Sequence, residues 1–302
     1  MADARAFEAE RPRLLRLAYR MTGSFAEAED VVQDAWLRWA RAETDAVATP
    51  AAWLTRVVTR LCLDHLKSAR VRRETYVGAW LPEPLVDATG AEAVADDLTL
   101  TLMLALERLS PLERAAFLLH DVFDVALPEV AATLDRAPAA VRQLAARARR
   151  HVGEARQRYP VDRDEAARIA GAFFAAARDG DATALSALLA EDVVLHADGG
   201  GEVLAFRNAI RGMDRILRLF AGLHRKYRGA QAILLHVGSI DGLPGFVSRE
   251  RGGVLQTTTL ALRDGRIAAI YIVRNPRKLG HVATAFRQTA EISGKNGAAG
   301  ED

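Results

Sequence analysis

The stretch from Ser110 to Val152 constrains the fold most, because its capping signals and apolar spacing define a run of short helices. Ser110 is a candidate N-cap, Pro111 stands at the first helical position, and Glu113 can complete a capping box. A second helix is predicted over Pro128–Leu134, and the break 135–138 follows it. The last helix presents one apolar face, formed by Val141, Ala145, Ala148 and Val152.

Two helices joined by a tight turn, the second one basic, describe a helix-turn-helix, which places its second helix in the DNA major groove. Arg142 and Gln143 near the start of that helix are the candidates for base contact. The remaining basic side chains are candidates for phosphate contact: Arg136, Arg147, Arg149 and Arg150. A solvated basic helix on a helical bundle is the alternative interpretation.

The composition limits the class of protein. With 302 residues, of which 50% are hydrophobic and 26% charged, the chain suits a globular protein of two or three domains. A net charge of +2 means that binding to nucleic acid would depend on local patches. The single cysteine, Cys62, excludes an internal disulfide and a multi-cysteine metal site. We therefore expect no metal, no cofactor and no membrane segment, and a cytoplasmic location.

The N-terminal part is helical throughout its pattern. Ser24 caps a helix that carries Glu27 three residues later. On that helix Asp30, Gln33 and Asp34 face outward, and the two carboxylates share one helix face. A third acid or a histidine that would suit a metal or catalytic site is not nearby. We interpret this face as an acidic docking surface, with a plain solvated face as the alternative.

The next predicted helix begins at Thr49-Pro50 and becomes basic toward its end. Trp53 lies near Arg56 and Arg60, and an aromatic ring beside guanidinium groups can hold unstacked bases. Lys67 adds to the basic character of the end of this helix. Two alternatives remain: Trp53 is a core residue, or the cations only complement the helix dipole.

Three of these segments, in this order, resemble bacterial extracytoplasmic-function sigma factors. Residues 28–37 resemble the polymerase-docking helix of that family, and residues 53–67 resemble its promoter-melting helix. Residues 110–114 with 137–150 resemble the helix-turn-helix that reads the upstream promoter element. The resemblance implies that Asp30, Gln33 and Asp34 face the clamp helices of the largest polymerase subunit. It also implies a contact with the polymerase flap.

The same resemblance assigns the basic helix to DNA. It implies that Trp53, Arg56, Arg60 and Lys67 lie where the separated non-template strand passes. Arg60 replaces an asparagine that is common at its position in the wider family. The base preference at the downstream promoter element is therefore left open.

Residues 76–97 form a predicted linker, because one glycine and two prolines break the helical pattern. The apolar run Trp80, Leu81 and Pro82 stands in an otherwise acidic segment, which indicates a docking role. This segment resembles the linker of sigma factors that carry a fused SnoaL-like domain, although Ala79 replaces the usual proline.

The C-terminal part predicts two helices, a strand at 193–198, a further helix and then four strands that are separated by Asp-Gly and Gly-Gly turns, which is an α+β arrangement. It resembles the cone-shaped SnoaL-like barrel. Two loops resemble motifs of the fused subgroup, although Glu202 replaces a lysine, and both loops are predicted to make regulatory contacts. Their residues are Asp198, Gly199, Gly200 and Gly201 in the first, and Asn275, Pro276, Lys278 and Leu279 in the second.

A pocket in the barrel mouth could hold a small ligand. The candidate lining residues are His196, Asp198, His236, Arg249 and Glu250. Catalysis needs an acid and a base held together, which the pattern does not provide. We expect a regulatory domain first, a ligand sensor second, and an enzyme last, with no catalytic residue assigned.

The sequence thus predicts a multidomain sigma factor: two all-α domains, the second with the helix-turn-helix, followed by an α+β SnoaL-like barrel that regulates the protein in cis. The predicted boundaries are 1–75, 76–97 for the linker, 98–158, 159–292 and a flexible tail at 293–302. A one-component, ligand-sensing operator-binding regulator is the alternative. The acidic face at Asp30 and Asp34 distinguishes the two hypotheses, because an operator-binding protein does not need it.

Overall fold

The computed structural model divides the chain into two compact units. One unit combines Met1–Thr75 with Ala93–Gln157, and the other combines Tyr76–Glu92 with Arg158–Asp302. The structure describes residues 4–42, 47–74, 76, 78–89, 100–153, 162–227 and 232–286. The second half of the predicted linker and the predicted tail at 293–302 lie outside the described residues. The first half of the linker belongs to the same unit as the C-terminal part.

Three helices open the first unit: α1 (Ala4–Thr22), α2 (Phe25–Arg41) and α3 (Pro50–Glu74). The side chain of Ser24 accepts a hydrogen bond from the amide of Glu27, so the predicted cap begins α2. The apolar stripes of the helices meet in a core that includes Leu14, Leu17, Val32, Trp39 and Leu54.

Four helices follow: α4 (Leu100–Glu107), α5 (Pro111–Phe117), α6 (Leu127–Leu134) and α7 (Pro138–Gly153). The capping box of Ser110 and Glu113 is present at the start of α5. Helix α5 continues into a π-helical turn, Leu118–Val122, which the apolar spacing did not distinguish from α-helix. Asp135 ends α6 in the left-handed region, with φ 54°. The helix-turn-helix is therefore built on α6 and α7.

Arg114 connects the two halves of the first unit. Its side chain is 2% exposed and donates to the carbonyl of Met21 at 2.6 Å and to that of Leu106 at 2.9 Å. It also pairs with Glu107 at 2.8 Å. Met21 and Leu106 belong to the last turns of α1 and α4, whose carbonyls have no partner within their own helix. One guanidinium group thus satisfies the ends of two helices.

The second unit contains α8 (Arg163–Asp179), α9 (Ala182–Leu188) and α10 (Met213–Lys226), together with one six-stranded sheet. The strands are β1 (Leu189–Asp198), β2 (Ile210–Arg211), β3 (Ile233–Ile240), β4 (Leu243–Arg249), β5 (Leu255–Arg263) and β6 (Arg266–Val273). Their order is β2-β1-β6-β5-β4-β3. Strands β3 to β6 form the expected antiparallel meander, and β1 adds to it parallel to β6. Neither this parallel pair nor the short β2 was predicted.

The hairpins use the turn residues that the sequence indicated. Asp241 and Gly242 both have positive φ, 50° and 70°, and so do Asp264 and Gly265, 53° and 73°. Two consecutive residues of this kind make the turn whose twist matches antiparallel strands. The Asp-Gly pairs therefore fix the register of β3 against β4 and of β5 against β6.

The helices cover one face of this sheet. Phe173 and Phe174 of α8, Phe220 of α10 and Phe246 of β4 pack together there, with ring centroids 5.2–6.3 Å apart. This aromatic cluster fills the space between the helices and the sheet. Within the described residues, no helix combines the length and the hydropathy needed to cross a membrane.

Candidate functional site

The acidic face of α2 is exposed as predicted. Asp30, Gln33 and Asp34 lie on the solvent side, while Val31, Val32, Ala35 and Trp39 of the same helix are buried. The buried stripe packs on α1 and α3 and fixes the orientation of α2. The three polar side chains therefore form one continuous exposed patch.

Helix α3 combines core and surface roles. Arg56 and Arg60 are exposed, and Trp53 is half-buried with its ring 5.3 Å from that of Trp39. Lys67 is exposed and pairs with Asp64 at 3.0 Å. Trp53 thus contributes to the core through Trp39 and is partly exposed, and its contact with unstacked bases stays a prediction.

The basic residues of the helix-turn-helix divide into two sets. All the candidate side chains are exposed, and the two sets differ in their ion pairs: Arg136, Arg142, Gln143, Arg147, Arg149 and Arg150. Arg147 pairs with Glu113 at 3.0 Å, and Arg149 pairs with Asp121 at 2.6 Å. In the part of the chain that the structure describes, no acidic side chain pairs with Arg142 or Arg150.

Glu113 holds α7 against the start of α5. Its carboxylate accepts hydrogen bonds from the amide and the hydroxyl of Ser110, at 3.1 and 2.7 Å, and forms an ion pair with Arg147. Burial alone would raise the pKa of Glu113, but the Ser110 hydrogen bonds and the nearby cations lower it. The carboxylate therefore stays charged at neutral pH and orients Arg147 along the recognition helix.

The linker crosses the face of the sheet opposite α8 in an extended form. The residues from Leu81 to Val86 are all buried, and Pro82 and Pro84 favour extended backbone in the residues that precede them. Prolines cannot donate to a strand ladder, and only Val86 makes a bridge, to Ile240 of β3. The segment therefore packs across the strands instead of joining the sheet.

Asp198 at the end of β1 anchors the first part of this segment. Its carboxylate is 0% exposed and accepts from the Tyr76 hydroxyl at 2.5 Å, from the Leu81 amide at 2.9 Å and from Lys278 Nζ at 2.8 Å. Lys278 also donates to the Leu81 carbonyl at 2.5 Å and lies 4.1 Å from the Trp80 ring centroid. Burial and the carboxylate raise the pKa of Tyr76, so its hydroxyl keeps the proton that it donates.

The two loop motifs of the sequence meet at this anchor. The Gly200 amide donates to Asp198 at 3.0 Å, and Asn275 Nδ2 donates to the Tyr76 hydroxyl at 2.8 Å. A Cβ on Gly200, whose φ is 65°, would lie 2.5 Å from the Asn275 side chain. Only glycine allows the first loop to pass this close to the second.

The far end of the linker is anchored on the β3–β4 hairpin. The Leu85 amide donates to Asp241 Oδ1 at 2.9 Å, and the Asp241 amide donates to the Leu85 carbonyl at 2.9 Å. Asp87 contacts His236 at 2.6 Å, and Glu83 contacts His281 at 3.0 Å. The linker is thus held at both sides of the sheet.

The residues expected to line a pocket lie elsewhere. Leu195, Ala197 and Val237 point into the helix-covered core, so His196, Asp198 and His236 point to the opposite face, where the linker packs. Arg249 and Glu250 make local hydrogen bonds, to the Gly253 carbonyl and from the Ser248 hydroxyl. The structure does not bring these five residues together into one pocket.

An open groove of about 960 Å³ lies on another part of the second unit. Arg211, Arg215 and Arg218 line one part of it, and Glu191 and Asp192 line another. Asp192 also pairs with Arg263. No predicted site residue contributes to this groove. Across the described residues, no cluster of three or more metal-binding side chains is found.

Comparisons with known proteins agree with the helical arrangement. The model of Sigma-70 region 2 matches residues 6–72, and that of Sigma-70 region 4 matches residues 99–152. The ECF RNA polymerase sigma factor SigJ of Mycobacterium tuberculosis is 43% identical over 287 residues, which cover 90% of this chain and 91% of SigJ. The chain belongs to the ECF RNA polymerase sigma factors. The predicted family is confirmed, and the sigma factor directs RNA polymerase to promoters.

Solved structures extend the similarity over both units. The crystal structure of Mycobacterium tuberculosis SigJ has a TM-score of 0.74 and 38% identity, covering 92% of this sigma factor and 99% of that chain. The predicted fold class, helical sigma domains followed by an α+β domain, is confirmed. A SnoaL-like protein of unknown function from Burkholderia thailandensis covers 37% of the sigma factor and 96% of its own chain, with 12% identity and a TM-score of 0.33.

Several residues at these sites were not predicted. Arg114, Glu83 and His281 are buried or nearly buried charged groups whose partners lie far away in sequence. Glu83 had one signal, since it is an acid between two prolines in an otherwise apolar segment. The other two had none, because an isolated arginine or histidine is ordinary on a helix surface.

Proposed function

We propose that the sigma factor docks on the clamp helices of RNA polymerase through the exposed face of α2 and contacts the non-template strand along α3. Helix α7 reads the upstream promoter element, and the second helical domain contacts the flap. The C-terminal unit regulates these activities in cis by holding the linker. Because its targets are polymerase and promoter DNA, the protein works in the cytoplasm.

The extended linker bound across the sheet is the observation that supports regulation in cis. One cross-strand row joins the two anchors: Asp198, Val273, Thr257, Val247 and His236. Four strand spacings separate its ends by about 20 Å. Residues 76–87, which lie between the two anchors, could span about 40 Å if they were released. The bound linker therefore shortens the maximal reach between α3 and α4 by roughly 20 Å.

This shortening gives the regulation a physical basis. Residues 76–89 belong to the only covalent connection between the end of α3 and the start of α4. Binding to polymerase requires that both DNA-binding regions reach their own sites. A linker held on the C-terminal unit restricts the separations that these regions can adopt, and its release restores them.

We propose no enzymatic role for the C-terminal unit. Asp198 and His236 contact the linker, Glu250 accepts from Ser248, and His196 stacks on Tyr271. Aromatic rings fill the helix-covered side of the sheet. A one-component operator-binding regulator is not favoured, because the similarity to SigJ covers nearly the whole chain.

Core-polymerase binding tests the docking face and the linker together. We expect Asp30→Arg/Asp34→Arg to weaken binding by about 3 kcal/mol, roughly 100-fold, because like charges would then meet across the interface. We expect Trp80→Ala to strengthen binding by about two- to tenfold, because losing the contact between its ring and Lys278 loosens the linker. Titration of labelled full-length protein with core enzyme measures both effects.

The control is Asp164→Arg/Glu165→Arg, which makes the same change in net charge at exposed positions of α8. It should bind core enzyme as the parent does. If Asp30→Arg/Asp34→Arg bound core enzyme as the parent does, the proposed docking face would be wrong. Unchanged core binding and unchanged promoter-dependent transcription by Trp80→Ala would argue against regulation through the linker.

The salt dependence of DNA binding distinguishes the two sets of arginines. We expect Arg150→Met to reduce the slope of log K against log salt by about 0.9, because an exposed cation releases counterions from DNA. Arg147→Met should weaken binding with an unchanged slope, because Glu113 already neutralises this cation and their pairing holds α7 against α5. Binding of the full-length protein to a mixed-sequence duplex at several salt concentrations measures both slopes, and equal slope changes would contradict the division.

A further inference from the structure

Two histidines of the C-terminal unit meet two acids of the linker. His236 Nε2 lies 2.6 Å from Asp87 Oδ1, and the other oxygen of Asp87 accepts from the Ser239 amide at 2.9 Å. A Cβ on Gly238 would lie 2.5 Å from the Asp87 carboxylate and 2.6 Å from His236. Glycine at this position thus gives the acid room to reach the histidine.

The second pair is more deeply buried and more constrained. His281 Nδ1 lies 3.0 Å from Glu83 Oε1, and its Nε2 lies 2.8 Å from the Pro84 carbonyl. Glu83 is only 4% exposed. A carbonyl only accepts hydrogen bonds, and so does an ionised carboxylate, whereas a neutral imidazole has one donor. When Nε2 donates to the Pro84 carbonyl, Nδ1 attracts the ionised Glu83 carboxylate only if His281 also carries the second proton.

We propose that the C-terminal unit binds the linker in a protonation-dependent manner, with the imidazolium form of His281 holding Glu83 beside the contact between His236 and Asp87. This inference rests on the proposed regulation through the linker. The groups that face His281 are Glu83 and the Pro84 carbonyl from the linker and Asp241 from the β3–β4 turn. Asp87 faces His236 from the linker, and the Phe286 ring lies 5.7 Å away.

The direction of the pH dependence follows from these neighbours. Burial alone would lower the pKa of His281, but the hydrogen bond and charge of Glu83, with Pro84 and Asp241, raise it above its ordinary 6.5. A raised pKa means that binding of the linker is fully stabilised below about 6.5 and weakens as the pH rises through the higher value. Acidification therefore tightens the binding of the linker, and a rise in pH weakens it.

Hydrogen exchange of the full-length protein tests this inference. The amides of Leu81 and Leu85 donate to Asp198 and Asp241, so peptides covering 78–89 report on the bound linker. After correction for intrinsic exchange rates, we expect protection to fall by roughly tenfold or more between pH 6 and pH 9. The variant His236→Gln/His281→Gln should show weaker protection at pH 6 and almost no change with pH.

A conservative variant separates titration from packing. Glu83→Gln keeps the shape and an acceptor but removes the charge that raises the pKa of His281, so the midpoint of the transition should move to lower pH. His196→Gln is the matched control, because His196 lies on the same sheet face and stacks on Tyr271. It should leave the midpoint unchanged.

The inference would be overturned if the protection of the linker in the parent protein did not depend on pH. It would also be overturned if protection in His236→Gln/His281→Gln changed with pH as it does in the parent. Core-polymerase binding by the same samples keeps the two proposals distinct. A titrating linker with constant core binding would support the protonation-dependent site and contradict regulation through the linker. Linker protection that does not change with pH, combined with altered core binding by Trp80→Ala, would contradict the protonation-dependent site and support regulation through the linker.

Discussion

We expect Lys278→Met to destabilise the C-terminal unit by about 3–5 kcal/mol and to release the linker, because it leaves a buried carboxylate without its cation. Asp198 is 0% exposed and Lys278 is 9% exposed, so water cannot replace the lost partner without opening the site. The same lysine bonds the Leu81 carbonyl and faces the rings of Trp80 and Tyr76. One substitution therefore removes contacts at both the sheet and the linker.

Denaturant unfolding of the full-length protein, combined with hydrogen exchange of peptides covering 78–89, measures both effects. Lys226→Met is the matched control, because Lys226 and Lys278 each lie 5.2 Å from a tyrosine ring centroid, but Lys226 is exposed. The control should change stability by less than about 1 kcal/mol.

A second variant tests the charge directly. Asp198→Asn/Lys278→Met removes both charges and keeps one acceptor oxygen, for either Tyr76 or Leu81, so it should be more stable than Lys278→Met alone. A loss below about 0.5 kcal/mol for Lys278→Met, or no recovery in the double variant, would show that the ion pair does not hold the linker.

The linker illustrates what a sequence can and cannot predict. Trp80, Leu81 and Pro82 stood out because apolar residues are unusual in an acidic linker, and the structure places Leu81 and Pro82 against the sheet. The partners could not be derived in the same way. The pairing of Asp198 with Tyr76 spans 122 residues, and that of His281 with Glu83 spans 198. Local propensity carries no information about such contacts.

The helical half shows the same boundary between local and long-range information. The start of α5 and the end of α6 follow from Ser110, Glu113 and Asp135, because caps and left-handed turns depend on neighbouring residues. The sequence does not show which arginines of α7 pair with acidic side chains. Arg147 and Arg149 resemble the other arginines in sequence, and only the position of α5 and its π-helical turn gives them acidic partners.

The sequence predicted the hairpins of the sheet but not the parallel pairing of β1 with β6. Asp-Gly turns set the antiparallel meander locally, whereas the pairing of β1 with β6 joins residues about 75 apart and brings Asp198 beside Val273. This long-range pair also determines which face carries Asp198. Three residues of the predicted pocket, His196, Asp198 and His236, consequently lie on the face where the linker packs.

Arg114→Met should have the largest effect on the first unit, a loss of about 3–5 kcal/mol. The guanidinium group is 2% exposed and satisfies the last turns of α1 and α4, and its removal leaves the Met21 and Leu106 carbonyls buried without this donor. Because α1 and α5 belong to different sigma regions, the substitution should mainly weaken the interaction between the two regions. We expect the unfolding transition of this unit to separate into two.

Two further variants make the result specific to Arg114. Arg114→Lys keeps the charge, but an ammonium group cannot reproduce the planar fork that reaches both helix ends, so its stability should lie between those of the parent and the methionine variant. Arg108→Met removes an exposed arginine close by and should change stability by less than about 0.5 kcal/mol. A single unfolding transition in Arg114→Met, with a midpoint close to that of Arg108→Met, would mean that the two sigma regions are coupled by other contacts.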